Sequence, residues 1–117
     1  MQLVAKLLVV IVAALHFGFL VLEMFFWDHP FGRKTFRMTP EFSKASAVLA
    51  ANQGLYNGFL AAGLVWGLVS GQVNVILFFL LCVLVAGIYG GFTVGRRIIY
   101  VQALPALLAL LAVYFSR

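Results

Sequence analysis

Residues 3–27 read LVAKLLVVIVAALHFGFLVLEMFFW, a hydrophobic run that is long enough to cross a membrane and yet contains His16 and Glu23. These two residues are almost two helical turns apart, so they share one helix face and lie about 10 Å apart along the axis. An acid near the centre of a membrane helix costs roughly 2.5 to 3.5 kcal/mol, and such groups usually face a protein interior or a water-filled cavity. The run therefore predicts a bundle whose other helices supply partners for His16 and Glu23.

The composition of the whole chain indicates an integral membrane protein. Of its 117 residues 65% are hydrophobic and 9% are charged, and the mean hydropathy is +1.12. A helix needs about 20 apolar residues to cross the hydrocarbon layer, and four runs qualify. We predict helices at about 3–27, 40–70, 73–95 and 98–116. The predicted fold is all-α: a polytopic membrane protein with a four-helix transmembrane bundle, short loops and a single transmembrane domain over residues 1–117.

A cleaved secretory signal is the alternative for the first run, because Lys6 precedes an apolar core that is followed by small residues. The run continues to Phe26 and contains Glu23, which favours a helix that is retained. Cys82 is the only cysteine, so no intrachain disulfide is expected.

The stretch between the first two runs is basic and aromatic. Phe31 and Phe36 alternate with its cations as expected contacts with the membrane surface. At its end, Thr39 is a good N-cap, Pro40 suits the first helical position and Glu41 suits the positive end of the helix dipole. The second helix is therefore expected to begin near Pro40.

Charge predicts the orientation of the chain. Two loops carry six cations, against Lys6 and Arg117 on the other side. The six are Arg33, Lys34, Arg37, Lys44, Arg96 and Arg97. By the positive-inside rule these loops are cytoplasmic and both termini lie outside, in a multi-pass protein of a cell membrane such as the bacterial inner membrane.

Polar side chains of all four predicted helices fall at similar depths. Counting from the interfaces, Glu23 lies about 6 Å deep, Gln102 about 8 Å, and His16 and Asn57 about 16 to 20 Å. This pattern predicts a cavity in the cytoplasmic half of the bundle, with Glu23 and His16 as the catalytic, proton-moving pair. The predicted ligand-binding residues are Asn52, Gln53, Tyr56, Asn57, Tyr89, Thr93, Tyr100 and Gln102.

Structural roles are the alternative for each of these residues. Amides in membrane helices often only hydrogen-bond to a neighbouring helix, and Glu23 could reach the surface or pair with a loop arginine. A metal site needs at least three protein ligands, and beyond Glu23 and His16 the candidates are amides, so no metal is predicted. Small residues at every fourth position favour close packing within one chain, with a homodimer as the alternative. They are Gly54, Gly58, Ala62, Gly87, Gly91 and Gly95.

Three motifs carry a resemblance to a known family: LEMFFW in the first run, TPEF at the second helix and AANQGLYNGFLAAGL within it. With these the chain resembles a family of small four-helix integral membrane proteins catalogued as domain of unknown function thirteen-oh-four. The resemblance covers nearly the whole chain and includes His16, Glu23, Arg33 and Gln102. It implies the fold and a membrane location, and it implies no activity.

Two classes of function are consistent with these features. One is a site that binds or converts a small lipid-soluble molecule, apolar with a polar head, in which Gln53, Asn57 and Gln102 hold the substrate. The other is a proton-coupled small-molecule transporter built on Glu23, although the strong charge bias argues against subunits inserted in opposite directions. A structural membrane subunit is a third alternative. The lipid bilayer is the expected partner, and no nucleic acid is expected. The sequence does not identify a cofactor.

Overall fold

The computed structural model describes residues 1–117 and is helical, with no strand. Its elements are α1 (Leu3–Phe25), α2 (Pro30–Phe36), α3 (Pro40–Ser70), α4 (Val73–Thr93), a π-helical segment (Ile99–Ala103) and α5 (Leu104–Ser116). The prediction of an all-helical chain is confirmed. The predicted count of four helices is not confirmed, because the stretch expected to be a loop contains the seven-residue helix α2.

Three helices are long and apolar enough to span a membrane, which fits a membrane protein. They are Leu3–Phe25, Val73–Thr93 and the continuous helical stretch Ile99–Ser116. The fourth predicted span, within α3, is not among them. Its glycines and the amides of Asn52, Gln53 and Asn57 lower the hydropathy of a helix that is otherwise long enough.

The chain divides into two compact units. The core unit consists of Met1–Leu15 and Leu60–Arg117, and the loop unit is His16–Phe59. Both α1 and α3 are continuous helices that contribute one part to each unit.

The core unit is built around fully buried aliphatic side chains from all of its helices. They are Val9, Leu64, Ile76, Leu80 and Val113, joined by small residues such as Ala106 and Ala109. Gly63 and Gly67 let α3 approach α4, since a Cβ at either position would overlap Phe79 or Ile76. Membrane helices associate through close packing of small residues, because lipid is as apolar as the side chains and hydrophobic burial does not drive helix association.

Gly71 makes the turn between α3 and α4. Its φ of 68° lies in the left-handed region, which glycine adopts without steric cost. The following amide, the N–H of Gln72, bonds back to the carbonyl of Gly67 at 3.0 Å. The turn therefore needs no polar side chain.

The π-helical segment precedes α5 and replaces one regular turn. The N–H of Leu104 donates to the carbonyl of Ile99, five residues back rather than four. Pro105 follows, and its ring nitrogen cannot donate to the carbonyl four residues earlier, so a regular ladder is already interrupted at this point. Gly87 faces the segment across a narrow gap: a Cβ there would lie 2.9 Å from the backbone nitrogen of Ala103.

In the loop unit, the last turns of α1 run antiparallel to the first turns of α3. The indole N–H of Trp27 donates to Ser46 Oγ at 3.0 Å, and Ser43 Oγ–H donates to Asp28 Oδ1 at 2.8 Å. Asp28 also pairs with Arg33 at 3.0 Å. The Asp28 carboxylate thus connects the end of α1 to both α2 and α3.

The beginnings of α2 and α3 have side-chain caps. Thr39 Oγ1 accepts from the N–H of Phe42 at 3.2 Å, which confirms the predicted cap of α3. His29 Nδ1 accepts from the N–H of Phe31 at 3.1 Å and caps α2, whose first residue is Pro30. Both helices therefore combine a polar cap with a proline in the first turn.

Candidate functional site

The structure brings Glu23 of α1 and Asn57 of α3 into direct contact. Asn57 Nδ2 donates a hydrogen bond to Glu23 Oε1, across 34 residues of sequence. Asn57 is 6% exposed, and Glu23 is partly buried. A carboxyl group that is removed from water needs a hydrogen-bond partner, and Asn57 of a second helix provides one for Glu23.

Two glycines bring the helices close enough for this bond. A Cβ on Gly54 would lie 2.7 Å from Met24 Cγ and 3.0 Å from Glu23 Cβ. One turn further along α3, a Cβ on Gly58 would overlap the side chain of Leu20. The backbone of α3 therefore lies directly on the side chains of α1 on both sides of Asn57, and its short amide can reach the carboxyl.

No protein group hydrogen-bonds the second carboxyl oxygen of Glu23, and none donates to the amide oxygen of Asn57. A carboxylate accepts up to four hydrogen bonds and an amide oxygen two. The pair thus offers neighbouring acceptors to a molecule that carries hydroxyl, amine or amide N–H groups. If the carboxyl is protonated, Glu23 can also donate one.

His16 is fully buried and lies seven residues before Glu23 on α1. Its ring meets that of Phe19 edge to face, with centroids 5.1 Å apart. The separation along the helix is about 10 Å, so a proton would need an intervening group to pass between them. The predicted proton-moving role of His16 stays a prediction.

The other predicted residues of the loop unit have exposed side chains. Asn52 Nδ2 donates to the carbonyl of Val48 in its own helix at 3.1 Å. Gln53 is exposed, and Tyr56 packs edge to face on Phe59 with centroids 6.1 Å apart. Of the loop-unit residues, the structure thus joins only Asn57 to Glu23.

Within the core unit, Gln102 has the most specific contact. Its Nε2 donates to the carbonyl of Val83 on α4 at 3.1 Å. Thr93 bonds the carbonyl of Tyr89 in its own helix at 2.8 Å, while the phenol rings of Tyr89 and Tyr100 are exposed. The predicted roles of these four residues as ligands of one cavity stay predictions.

One buried polar contact was not predicted from the sequence. Ser43 is fully buried and holds Asp28, although it lies only three residues after the start of α3. The signal was present: Ser43, Ala50, Gly54 and Asn57 recur at helical spacing and form one face of small and polar residues. Counting back from Gly54 by the 3.6-residue repeat, rather than by every fourth residue, reaches Ser43 three turns earlier.

Two further findings concern clusters of titratable side chains and surface cavities. No group of three or more His, Cys, Asp or Glu side chains lies together in the chain. A surface groove of about 690 Å³ lies in the core unit, and none of the predicted site residues lines it. Its walls are Val73, Asn74, Leu77, Tyr114, Phe115 and Arg117.

Comparison with known proteins identifies the family. The model of the family described as "Protein of unknown function (DUF1304)" matches residues 10–114. The chain belongs to this family. The match includes both members of the Glu23–Asn57 pair and the whole of α2, α3 and α4, so the resemblance seen in the sequence is confirmed.

A relative from Lactococcus lactis subsp. lactis (strain IL1403), the uncharacterized protein YpaA, is 30% identical over 119 aligned residues. The alignment covers 98% of this chain and all of the relative. No solved structure matches the chain significantly.

Proposed function

We propose that this protein is a multi-pass membrane protein that binds or converts a small lipid-soluble molecule at the Glu23–Asn57 pair. The observation that carries the proposal is the hydrogen bond from Asn57 of α3 to Glu23 of α1, a helix apolar enough to span a membrane. A carboxyl in such a helix is costly, and membrane proteins place such groups mainly in substrate, ion or proton pathways.

The chemistry of the pair defines the class of ligand. The unused oxygens of Glu23 and Asn57 are acceptors, so the head of the ligand carries hydrogen-bond donors such as hydroxyl, amine or amide groups. The apolar neighbours of the pair, Leu20 and Met24, suit a ligand whose remaining part is hydrocarbon. If the molecule is converted, Glu23 is the group that would exchange a proton with it.

In this proposal α3 is the fourth membrane span, packed against α1 through Gly54 and Gly58. Of the amides that lower its hydropathy, Asn57 then faces protein, while Asn52 bonds a carbonyl of its own helix. The cationic residues around α2 and at Arg96 and Arg97 support a cytoplasmic position of those loops, with both chain ends outside, by the positive-inside rule. Labelling of Lys34→Cys in a Cys82→Ser background by an impermeant thiol reagent, from the cytoplasmic side only, tests this orientation.

The experiment that tests the site is native mass spectrometry with lipidomics on protein extracted gently from its own membrane. Glu23→Gln and Asn57→Leu each remove one half of the pair. Glu41→Gln is the matched control, since Glu41 is an exposed acid in the first turn of α3. We expect a molecule that co-purifies with the wild type and with the control, and that is lost from both site variants.

Two outcomes count against the proposal. A molecule that is retained equally by Glu23→Gln lies elsewhere on the protein. If the wild type itself retains no molecule, the binding proposal fails, and a proton-flux assay in sealed vesicles then distinguishes the second candidate function, proton-coupled transport, from a structural role. The partly buried carboxyl of Glu23 favours transport as that second candidate, because such an acid can couple a proton to a substrate.

A further inference from the structure

The short helix α2 has one face fixed to the protein. A Cβ on Gly32 would overlap the carbonyl of Phe26, so this residue lies directly against the end of α1. Phe36, one turn later on the same face, packs its ring on Trp27 with centroids 5.0 Å apart. These contacts hold α2 beside the last turn of a helix that is apolar enough to span a membrane.

The opposite face of α2 is cationic and aromatic. Lys34 lies about 160° around the helix from Gly32 and is exposed. Phe31 is its neighbour three positions earlier and is 51% exposed. Lys34 therefore projects from the side of α2 opposite Gly32. On its flank the ring of Phe31 packs edge to face on Phe26, with centroids 6.3 Å apart, and leaves half of its surface exposed.

The cations of this region are not equivalent. Arg33 is neutralised by Asp28 in an ion pair at 3.0 Å. Lys34 and Arg37 form no ion pair and both are exposed. Two uncompensated positive charges thus lie at the free side and the C-terminal end of α2.

Arg37 occupies a position that normally favours glycine. It ends α2 with φ 55° and ψ 49°, the one non-glycine residue with positive φ in the chain. A left-handed conformation is unfavourable for a residue with a Cβ, and glycine is the usual choice at such a helix end. The presence of arginine here indicates that its side chain contributes something that glycine would lack.

We propose that Phe31, Lys34 and Arg37, here called the basic surface, bind the phosphate head groups of anionic phospholipids. This inference rests on the proposed membrane location and not on the Glu23–Asn57 site. Charge complementarity identifies the occupant: two unpaired cations attract the anionic head group, and the exposed Phe31 ring adds apolar area at the level where a membrane span has just ended.

Trp27 provides the reporter, because its ring packs on Phe36 of α2. In a Trp66→Phe background it is the only tryptophan. The purified protein is reconstituted into phosphatidylcholine vesicles that contain an equal fraction of brominated phosphatidylcholine or brominated phosphatidylglycerol. Quenching of Trp27 then gives the relative association constant of the two lipids.

We expect phosphatidylglycerol to be preferred, and each of Lys34→Gln and Arg37→Gly to reduce the preference about fivefold. Arg37→Gly is the informative variant, since it removes the cation while relieving the left-handed backbone. The preference also falls between 0.1 and 1 M salt, because the Debye length decreases from about 10 to 3 Å. Lys6→Gln, the same charge change near the start of α1, leaves the preference unchanged.

Equal quenching by the two lipids overturns the proposal, as does a preference that Lys6→Gln reduces as much as Lys34→Gln. These results leave the membrane location intact, since both brominated lipids still quench Trp27. Absence of quenching by either lipid would instead contradict the membrane location itself.

Discussion

Replacing Gly54 by alanine tests whether the close approach of α1 and α3 holds the candidate site together. The added Cβ would lie 2.7 Å from Met24 Cγ, 3.0 Å from Glu23 Cβ and 3.2 Å from the carbonyl oxygen of Leu20. None of these atoms is the free end of a flexible side chain, so the two helices must separate. Such overpacking typically costs about 1 to 3 kcal/mol.

Alanine also raises helix propensity, by about 0.8 to 1.0 kcal/mol relative to glycine. Gly18→Ala provides the matched control, because a Cβ on Gly18 has no atom within 4 Å and gains the same propensity without a clash. The difference in the free energy of unfolding between the two variants therefore isolates the packing term. We expect Gly54→Ala to be less stable than Gly18→Ala by about 1 to 3 kcal/mol, or about 5- to 150-fold in the unfolding constant.

The assay is reversible unfolding in mixed micelles, followed by circular dichroism at increasing mole fraction of sodium dodecyl sulfate. A second readout is retention of the co-purifying molecule, which Gly54→Ala should weaken and Gly18→Ala should not. If the two variants unfold at the same detergent fraction, the helices are not in contact at Gly54 and the geometry of the site is wrong.

Two more substitutions test the packing on which the units depend. Gly87→Ala places a Cβ 2.9 Å from a backbone nitrogen of the π-helical segment, and we expect it to lower the free energy of unfolding by about 1 to 3 kcal/mol; a stability equal to that of the wild type would contradict this contact. Ser43→Ala removes the hydroxyl that donates to Asp28, at an expected cost of about 1 kcal/mol. Ser70→Ala, at an exposed hydroxyl that donates to the carbonyl of Trp66 in its own helix at 2.6 Å, should cost less, and the reverse order would contradict a contribution of the Ser43–Asp28 bond to stability.

The sequence predicts what depends on composition and on residues close together in the chain. Hydropathy predicts four spans, of which three are confirmed as helices long and apolar enough to cross a membrane, and the Thr39 cap follows from local chemistry. Helical periodicity also relates Asn57 to the glycines that bring it to Glu23. These features need only the 3.6-residue repeat and the chemistry of individual side chains.

The remaining features depend on rotation and on distant contacts. Depth along a helix predicts that Gln102 lies at a similar level to Glu23, but it does not give the direction in which a side chain points. The sequence predicts a loop between the first two apolar runs, because Pro30 and Gly32 normally interrupt helices. In the structure the proline is at the first helical position, where it is tolerated, and the glycine permits contact with α1.

The π-helical segment has a consequence for how the family diverges. A single π turn contains one residue more than the α turn it replaces, so deletion of Ala103 would convert it to an α-helical turn, in which Pro105 still donates no hydrogen bond. All residues before the deletion would then rotate by about 100° relative to α5, and the side chain opposite Val83 would no longer be Gln102. A one-residue gap at this point in a family alignment would therefore record a change of helix face rather than a shorter loop.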